Sequence, residues 1–248
     1  MTKIVLVTGG GRGIGAATAK LLARHGYDVA VNYQSNVAAA QKVVREIEAM
    51  GRRAIAVQGD VSREADVLRI FAAVDEHMGR LWGLVNNAGI TGRIGRLDAA
   101  EAGDIQSTMD INVVGALLCA REAVKRMSTQ RGGKGGVIVN LSSVATTLGS
   151  PGTYVWYAAS KAAVDAMTLG LGLEVAREGI RVVGVAAGLT DTELHAAGGE
   201  PGRAHKLASA VPLGRIAAPA EIAETIAWLM SDAAGYVTAT TLRVGGGR

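Results

Sequence analysis

Ile4-Val-Leu-Val7-Thr8-Gly-Gly-Gly-Arg-Gly-Ile-Gly15 reads as a short, fully buried strand that runs straight into a glycine-rich turn. From Ala16 to His25 the composition is helical, and Gly26 is the residue type that closes a helix. Strand, turn and helix together give the glycines meaning. They let the backbone approach a pyrophosphate, and the helix N-terminus offers unpaired N–H groups and a positive dipole end. A triphosphate-binding loop would need Lys and then Ser or Thr after its last glycine, and Ala16-Ala17 stand there instead. We expect a dinucleotide cradle built from Gly9, Gly11, Arg12, Gly13, Ile14 and Gly15.

Working outward, Val29 to Tyr33 is a second strand, and its carboxyl end bears on the cofactor. An NAD site carries an acid there for the ribose hydroxyls. This chain has Asn32-Tyr33-Gln34-Ser35, and its Asp28 lies at the opposite end of the strand. Arg12 is either a solvated loop charge or the partner of a 2′-phosphate. The expectation is NADP(H), with NAD(H) as the alternative cofactor, and with Asn32 and Tyr33 at the adenosine end.

Alternation continues with a helix from Val37 to Met50, a strand from Arg53 to Gln58, and Gly59-Asp60-Val61. Asp60 could accept a bond from an adenine amino group or cap a helix starting near Ser62, and the two readings are compatible. A helix from Arg63 to Met78 leads to the strand Leu81 to Val85 and then to Asn86-Asn-Ala-Gly89. There Asn87, Ala88 and Gly89 can tie loops together and leave room for a cofactor. The alternation predicts an α/β protein with a parallel, doubly wound sheet and right-handed crossovers.

In the second half, Asp104 to Met127 reads as one long helical stretch. Asn112 inside it is a poor helix former. It is a solvated or hydrogen-bonded helix residue, or a local break holding a water. Val137 to Val139 with Asn140-Leu-Ser-Ser143 puts two hydroxyls at a strand end. Tyr157-Ala-Ala-Ser-Lys161 then opens a helix running to about Arg177, with Tyr157 and Lys161 one turn apart on one face. A tyrosine ordinarily titrates near ~10, and a lysine beside it favours the phenolate, making Tyr157 a usable acid/base. Taken alone, the pair also fits an amphipathic helix with a surface Tyr and Lys.

Composition bounds the rest. The chain has 248 residues, 49% of them hydrophobic, with 34 glycines against four prolines, which suits a buried core with many tight turns. A net charge of +4 spread without a basic block, with 4% aromatics, argues against nucleic acid. Cys119 is single, so no intramolecular disulfide is expected, and it reads as a buried helix residue. No apolar run reaches the ~18 residues that cross a membrane, and no signal-peptide pattern precedes Ile4. No His, Cys and carboxylate cluster suggests a metal. The expectation is a cytoplasmic protein.

Together, Thr8 to Gly15, Asp60-Val61, Asn86 to Gly89, Asn112, Ser143 and Tyr157 to Lys161 resemble the motif set of the classical short-chain dehydrogenases/reductases. The motifs come in the family's order over roughly residues 4 to 247, almost the whole chain. The resemblance lies nearest to glucose 1-dehydrogenase-like and 3-oxoacyl-carrier-protein reductase-like bacterial members. It implies one Rossmann-type domain over residues 1–248, seven parallel strands, and NAD(P) across their carboxyl ends.

It also implies roles. Tyr157 would be the acid/base, Lys161 would lower its pKa and bond the nicotinamide ribose, and Ser143 would hold the substrate oxygen. Asn112 would position a relay water. Ser143 is preferred to Ser142 because the second Ser of such a pair fills this role. Tyr154 has Ala158 four residues on, lacks the lysine, and lines the pocket in this reading. Gly188, Thr190 and Thr192 would hold the nicotinamide end, in a loop where Ala187 replaces the family's usual proline and Val183 a usual asparagine. Losing proline leaves a freer loop. Residues 190 to 212, with His195 and His205, would form a mobile lid. The implied activity is interconversion of a small-molecule carbonyl and a secondary alcohol, in a homotetramer or homodimer built on the helices Asp104–Met127 and Tyr157–Arg177. A non-catalytic NADP-binding sensor or scaffold is the alternative.

Overall fold

Seven strands form one sheet in the computed structural model, which describes residues 2–248 with the side chain of His195 excepted. The expectation that His195 is a lid surface residue therefore lies outside the described residues. The strands are β1 (Ile4–Val7), β2 (Asp28–Tyr33), β3 (Ala54–Gln58), β4 (Gly83–Asn86), β5 (Gly136–Ser143), β6 (Ile180–Ala187) and β7 (Thr240–Val244). All pair in parallel, in the order β3-β2-β1-β4-β5-β6-β7. The order reverses between β1 and β4. In doubly wound sheets a crevice opens at such a point, outside the strands' carboxyl ends.

Alternation along the strands splits the core into two layers. Val5, Val7, Val29 and Val31 face α1 (Gly13–Arg24), α2 (Val37–Ala49) and α10 (Pro219–Met230), where Leu22, Ile47 and Ile226 are buried. Ile4, Leu6 and Ala30 face the other layer. It is made by α3 (Glu64–His77), α5 (Ala116–Met127) and α7 (Val155–Val175), with Phe71, Met127 and Val175 buried. Cys119 lies fully buried there, and burial pushes its thiol up to about 12, so it is inert. Both faces of the sheet are covered, which is why the strands read as continuous apolar runs.

The expected Asp104–Met127 helix is three pieces: α4 (Ala102–Met109), a π-helical segment Asp110–Gly115, and α5. Both readings of Asn112 hold in part: it sits in a local break, and it is hydrogen-bonded rather than solvated. The π segment comes close to the loop after β3. A Cβ on Gly115 would lie 3.0 Å from the Val61 carbonyl oxygen, so a side chain there would displace the loop. The helix opened by Tyr157 begins two residues earlier, at Val155, and ends at Val175 before a 3₁₀ turn, Ala176–Glu178. Short helices α6 (Ala145–Leu148), α8 (Leu194–Ala197) and α9 (Arg203–Lys206) lie in the loops beyond β5 and β6.

Asp60 does not cap α3, whose preceding residue is Arg63. Its carboxylate instead closes the turn before the helix. It accepts from the Ser62 backbone N–H (2.9 Å) and hydroxyl (2.7 Å), and from the Gln34 amide (2.8 Å). The loop after β6 is also not freer for lack of proline. Ala187 continues the strand between Ser143 and Val244. Thr190 then bridges to Ala217, with hydrogen bonds from Ala217 N–H to Leu189 and from Asp191 N–H to Ala217. Strand pairing on both sides restrains the backbone that proline would otherwise have stiffened.

Candidate active site

The cleft at the carboxyl ends has a volume of 620 Å³, within the range of small-molecule sites. One end is lined by Gly9, Gly11, Arg12, Gly13, Ile14, Asn32, Tyr33, Asp60 and Val61, and its middle by Asn87, Ala88 and Gly89. The other end is lined by Ser143, Tyr154, Tyr157, Lys161, Gly188 and Thr190, while Thr192 lies against Gly13 of the glycine turn. Two predicted site residues do not line it. Gly15 faces inward, where a Cβ would sit 2.5 Å from the Asn87 amide nitrogen and 2.6 Å from the Gly9 carbonyl oxygen. Asn112 stands one layer behind the wall.

Backbone conformation shapes the glycine turn. Gly9 and Gly13 adopt φ of +60° and +52°, which L side chains rarely take. Thr8 and Asn87 lock the turn to the loop after β4: the Thr8 hydroxyl accepts the Asn87 and Ala88 N–H groups, and the Asn87 amide donates to the Thr8 and Gly9 carbonyls. Asn32 ties β1 to β3, accepting from Gly9 N–H at 3.3 Å and donating to Val57 and Gly59 carbonyls. Asp28 is held by Arg52 and Arg53 at the far end of β2, as its sequence position requires.

The first turn of α1 carries no acidic residue and no side-chain cap. Its N–H groups and dipole are thus available to an anion, and the residues present fit the diphosphate of a dinucleotide. Arg12, just before that helix, is 59% exposed and pairs with Glu193 at 3.2 Å.

At the other end, β5 and α7 bring the hydroxyls and the lysine together. Ser143 ends β5 and accepts the Ala145 N–H at 3.1 Å, which orients its hydroxyl. Its hydroxyl stands on the same stretch of cleft wall as Tyr157. Ser142 points away, with its hydroxyl on the Lys161 carbonyl of α7. The Lys161 ammonium donates to the Leu141 carbonyl at 2.7 Å and lies 5.9 Å from the Tyr157 ring centroid. Tyr157 and Lys161 are both buried, not surface residues.

Burial dominates their protonation. It pushes Tyr157 up to about 12, with Ser143 acting against the rise and Tyr154 adding to it. It pulls Lys161 down to about 8, with the Asp165 charge opposing. The Lys161 ammonium meets the Leu141 carbonyl, and desolvation of the phenolate is the largest influence on Tyr157.

Asn112 grips the backbone of Ile90, accepting its N–H and donating to its carbonyl, each at 2.9 Å, and donates to the Ser160 hydroxyl at 3.0 Å. Gly89 separates Asn112 from Lys161. A Cβ there would lie 3.1 Å from the Asn112 oxygen and 3.5 Å from the lysine nitrogen. Behind this wall, Asn86 donates to Asn140, opposite it in the β4–β5 register, and Asn140 to Thr168 of α7. Sequence reasoning missed that chain, although two asparagines inside apolar strands were its signal. It also missed Arg203, which α9 places in the cleft, and Trp156, whose indole N–H fixes the Thr91 carbonyl at 2.7 Å.

Among the described residues no group of three or more His, Cys, Asp or Glu could hold a metal, and no helix is long and apolar enough to cross a membrane. A doubly wound sheet whose cleft joins an uncapped helix N-terminus to a Ser beside a buried Tyr and Lys has the build of a Rossmann-type oxidoreductase. This chain belongs to the classical short-chain dehydrogenase/reductase family. The profile of the family described as Enoyl-(Acyl carrier protein) reductase matches residues 9–248. The chain is 52% identical over 245 residues to the uncharacterized oxidoreductase YgfF of Escherichia coli (strain K12), covering 99% of both. It is 39% identical to a 3-oxoacyl-[acyl-carrier-protein] reductase of Synechocystis, covering 99% of this chain and 96% of that one. Among solved structures it is similar to a Burkholderia cenocepacia short chain dehydrogenase in complex with NADP, at a TM-score of 0.90 and 36% identity over 99% of this chain and 97% of that one. A Brucella melitensis 3-ketoacyl-(acyl-carrier-protein) reductase complexed with NADH gives a TM-score of 0.91 at 32% identity, over 99% and 98%.

Proposed function

We propose that this protein is an NADP(H)-dependent oxidoreductase that interconverts a carbonyl and a secondary alcohol, and that residues 1–248 act as a single catalytic domain with residues 190–212 as its lid. The observation that carries this reading is the gathering of Ser143, Tyr157 and Lys161 at one end of a cleft whose other end is the uncapped start of α1. When bound, the nicotinamide cofactor supplies or accepts the hydride. Tyr157, held protonated by burial, gives its proton to the substrate oxygen in reduction and takes it back in oxidation. Ser143 donates to the same oxygen as charge builds there. Lys161, below the phenol, holds the cofactor ribose and returns protons to Tyr157, while Asn112 fixes the Ile90 segment and the relay beside it.

The preference for NADP(H) is supported by Arg12 at the cleft and by the uncharged end of β2, Asn32 to Ser35. A relative bound to NADP and another bound to NADH keep both cofactors in the test. Self-association through α5 and α7 is supported by Leu117, Leu169 and Leu173, all exposed on those helices.

The test is spectrophotometric oxidation of NADPH and NADH against ketones, aldehydes, sugars and β-ketoacyl thioesters, run beside Tyr157→Phe. Turnover that requires Tyr157 is expected. Cofactor binding with no turnover on any member of the panel would favour the non-catalytic NADP-binding alternative.

A further inference from the structure

Arg203 opens α9 and lines the cleft beside the tyrosine pair. Its side chain is only 16% exposed. The guanidinium carbon lies 5.6 Å from the Tyr154 ring centroid. Tyr154 in turn meets Tyr157 edge to face, with centroids 5.2 Å apart and planes at 81°. A permanent cation thus stands one aromatic ring away from the phenol assigned to the chemistry.

The guanidinium is not fully used. Its Nη1 donates to Glu200 at 2.7 Å, whereas Nε is buried without a hydrogen-bond partner among the described residues. Arg52 also has an unpartnered Nε, but that side chain lies on Asp28 at the far end of β2, away from the cleft. Only at Arg203 does the spare donor belong to a residue of the cleft wall. A guanidinium presents Nε and one Nη as a fork that matches a carboxylate, and a buried donor left unpaired is costly. Glu200, 45% exposed, holds the outer side of the group and leaves that fork to a ligand.

We infer that Arg203 is a specificity residue for substrates that carry a carboxylate, namely keto acids and hydroxy acids whose acid group is separated from the reacting carbon by a short chain. The carbonyl rests on Ser143 and Tyr157, and the carboxylate takes the Nε side of Arg203 across the Tyr154 ring. An acid group directly on the reacting carbon is too near Tyr157 to span the ring. The inference rests on the proposed carbonyl chemistry and names its substrate class.

Matched probes separate charge from shape: 4-oxopentanoate with its methyl ester, and acetoacetate with its ethyl ester. Wild-type kcat/KM is expected to favour each acid over its ester. Arg203→Met is expected to lose about tenfold or more on the acids, mainly through KM, and little on the esters, and Arg203→Lys to recover part of the loss. A second readout needs no turnover: thermal stabilisation by 4-oxopentanoate, present in the wild type, absent with the ester, and lost in Arg203→Met. Equal stabilisation of wild type and Arg203→Met by the acid, or equal turnover of acid and ester, overturns the assignment. If the acid binds through Arg203 but no probe is reduced, the carbonyl chemistry fails while the anion site stands.

Discussion

Asn112 holds Ile90 by both of its backbone polar groups, so a side chain in the π segment completes the wall behind Gly89. The same amide also donates to the Ser160 hydroxyl of α7. Asn112→Ala leaves both Ile90 groups unsatisfied. We expect it to cost about 2–4 kcal/mol of stability by denaturant unfolding, and Asn112→Asp to cost at least as much, because a buried carboxylate cannot donate to the Ile90 carbonyl and faces it with a second acceptor. Equal stability of wild type and Asn112→Ala would mean that water replaces the amide without loss.

Removing the Tyr157 hydroxyl tests the chemistry with little risk to the fold, because the ring keeps its edge contact with Tyr154. Tyr157→Phe should lower kcat by about 100- to 10,000-fold, the usual range for general acid–base catalysis, and leave NADPH affinity unchanged. Turnover within a few-fold of wild type would take Tyr157 out of its role.

The protonation directions give a sign to the pH dependence. Oxidation of an alcohol requires the phenolate, whose fraction climbs tenfold per pH unit below about 12, so the oxidation rate should rise steadily from pH 7 to 10. Reduction uses the protonated form and should lack that rise. Stability follows from linkage. Lys161 titrates near 8 when folded and at its ordinary 10.5 when unfolded, so the unfolded chain binds more protons between those values. The wild type should therefore gain stability relative to Lys161→Met as pH rises from about 8 to 10.5. Tyr157 acts oppositely between 10 and about 12. A flat difference between wild type and Lys161→Met across that range would place Lys161 in contact with solvent.

How much of this was legible before the structure depended on whether the signal was local. The end of β1 was readable because its apolar run meets the glycine turn at Thr8-Gly9. The π segment was not, since its composition matches an α-helix; only the poor helix propensity of Asn112 marked a break. Asp60 misled because an acid near a helix start signals a cap, and its true partners, Gln34 and Ser62, include one from another strand end. Arg203 carries no motif at all. Its place beside Tyr154 exists only once the chain after β6 folds back over the cleft.

Arg12 is already paired with Glu193, with which a cofactor 2′-phosphate would compete. Its bond to Glu193 joins two exposed groups, so Arg12→Ala should change stability by less than about 1 kcal/mol. NADPH affinity should nevertheless fall about tenfold or more while NADH affinity holds, because only NADPH brings a 2′-phosphate to the guanidinium. Glu193→Gln removes the competitor and should tighten NADPH alone. Equal effects of Arg12→Ala on both cofactors, measured by fluorescence titration, would move the phosphate contact elsewhere.

Leu169 and Leu173, one helical turn apart on α7, are 52% and 68% exposed, and Leu117 on α5 is 47% exposed. Leucines at that spacing share one helix face, and the energetic cost of leaving them in water is removed when a second copy covers them. The long helix is otherwise anchored by its buried face, so charges on the outer one should not unfold it. Leu169→Glu with Leu173→Glu is expected to shift the species in light scattering from a dimer or tetramer to a smaller one, with the far-UV spectrum intact. A wild-type protein that is monomeric at micromolar concentration would remove α7 as an interface and leave those leucines as an ordinary exposed surface.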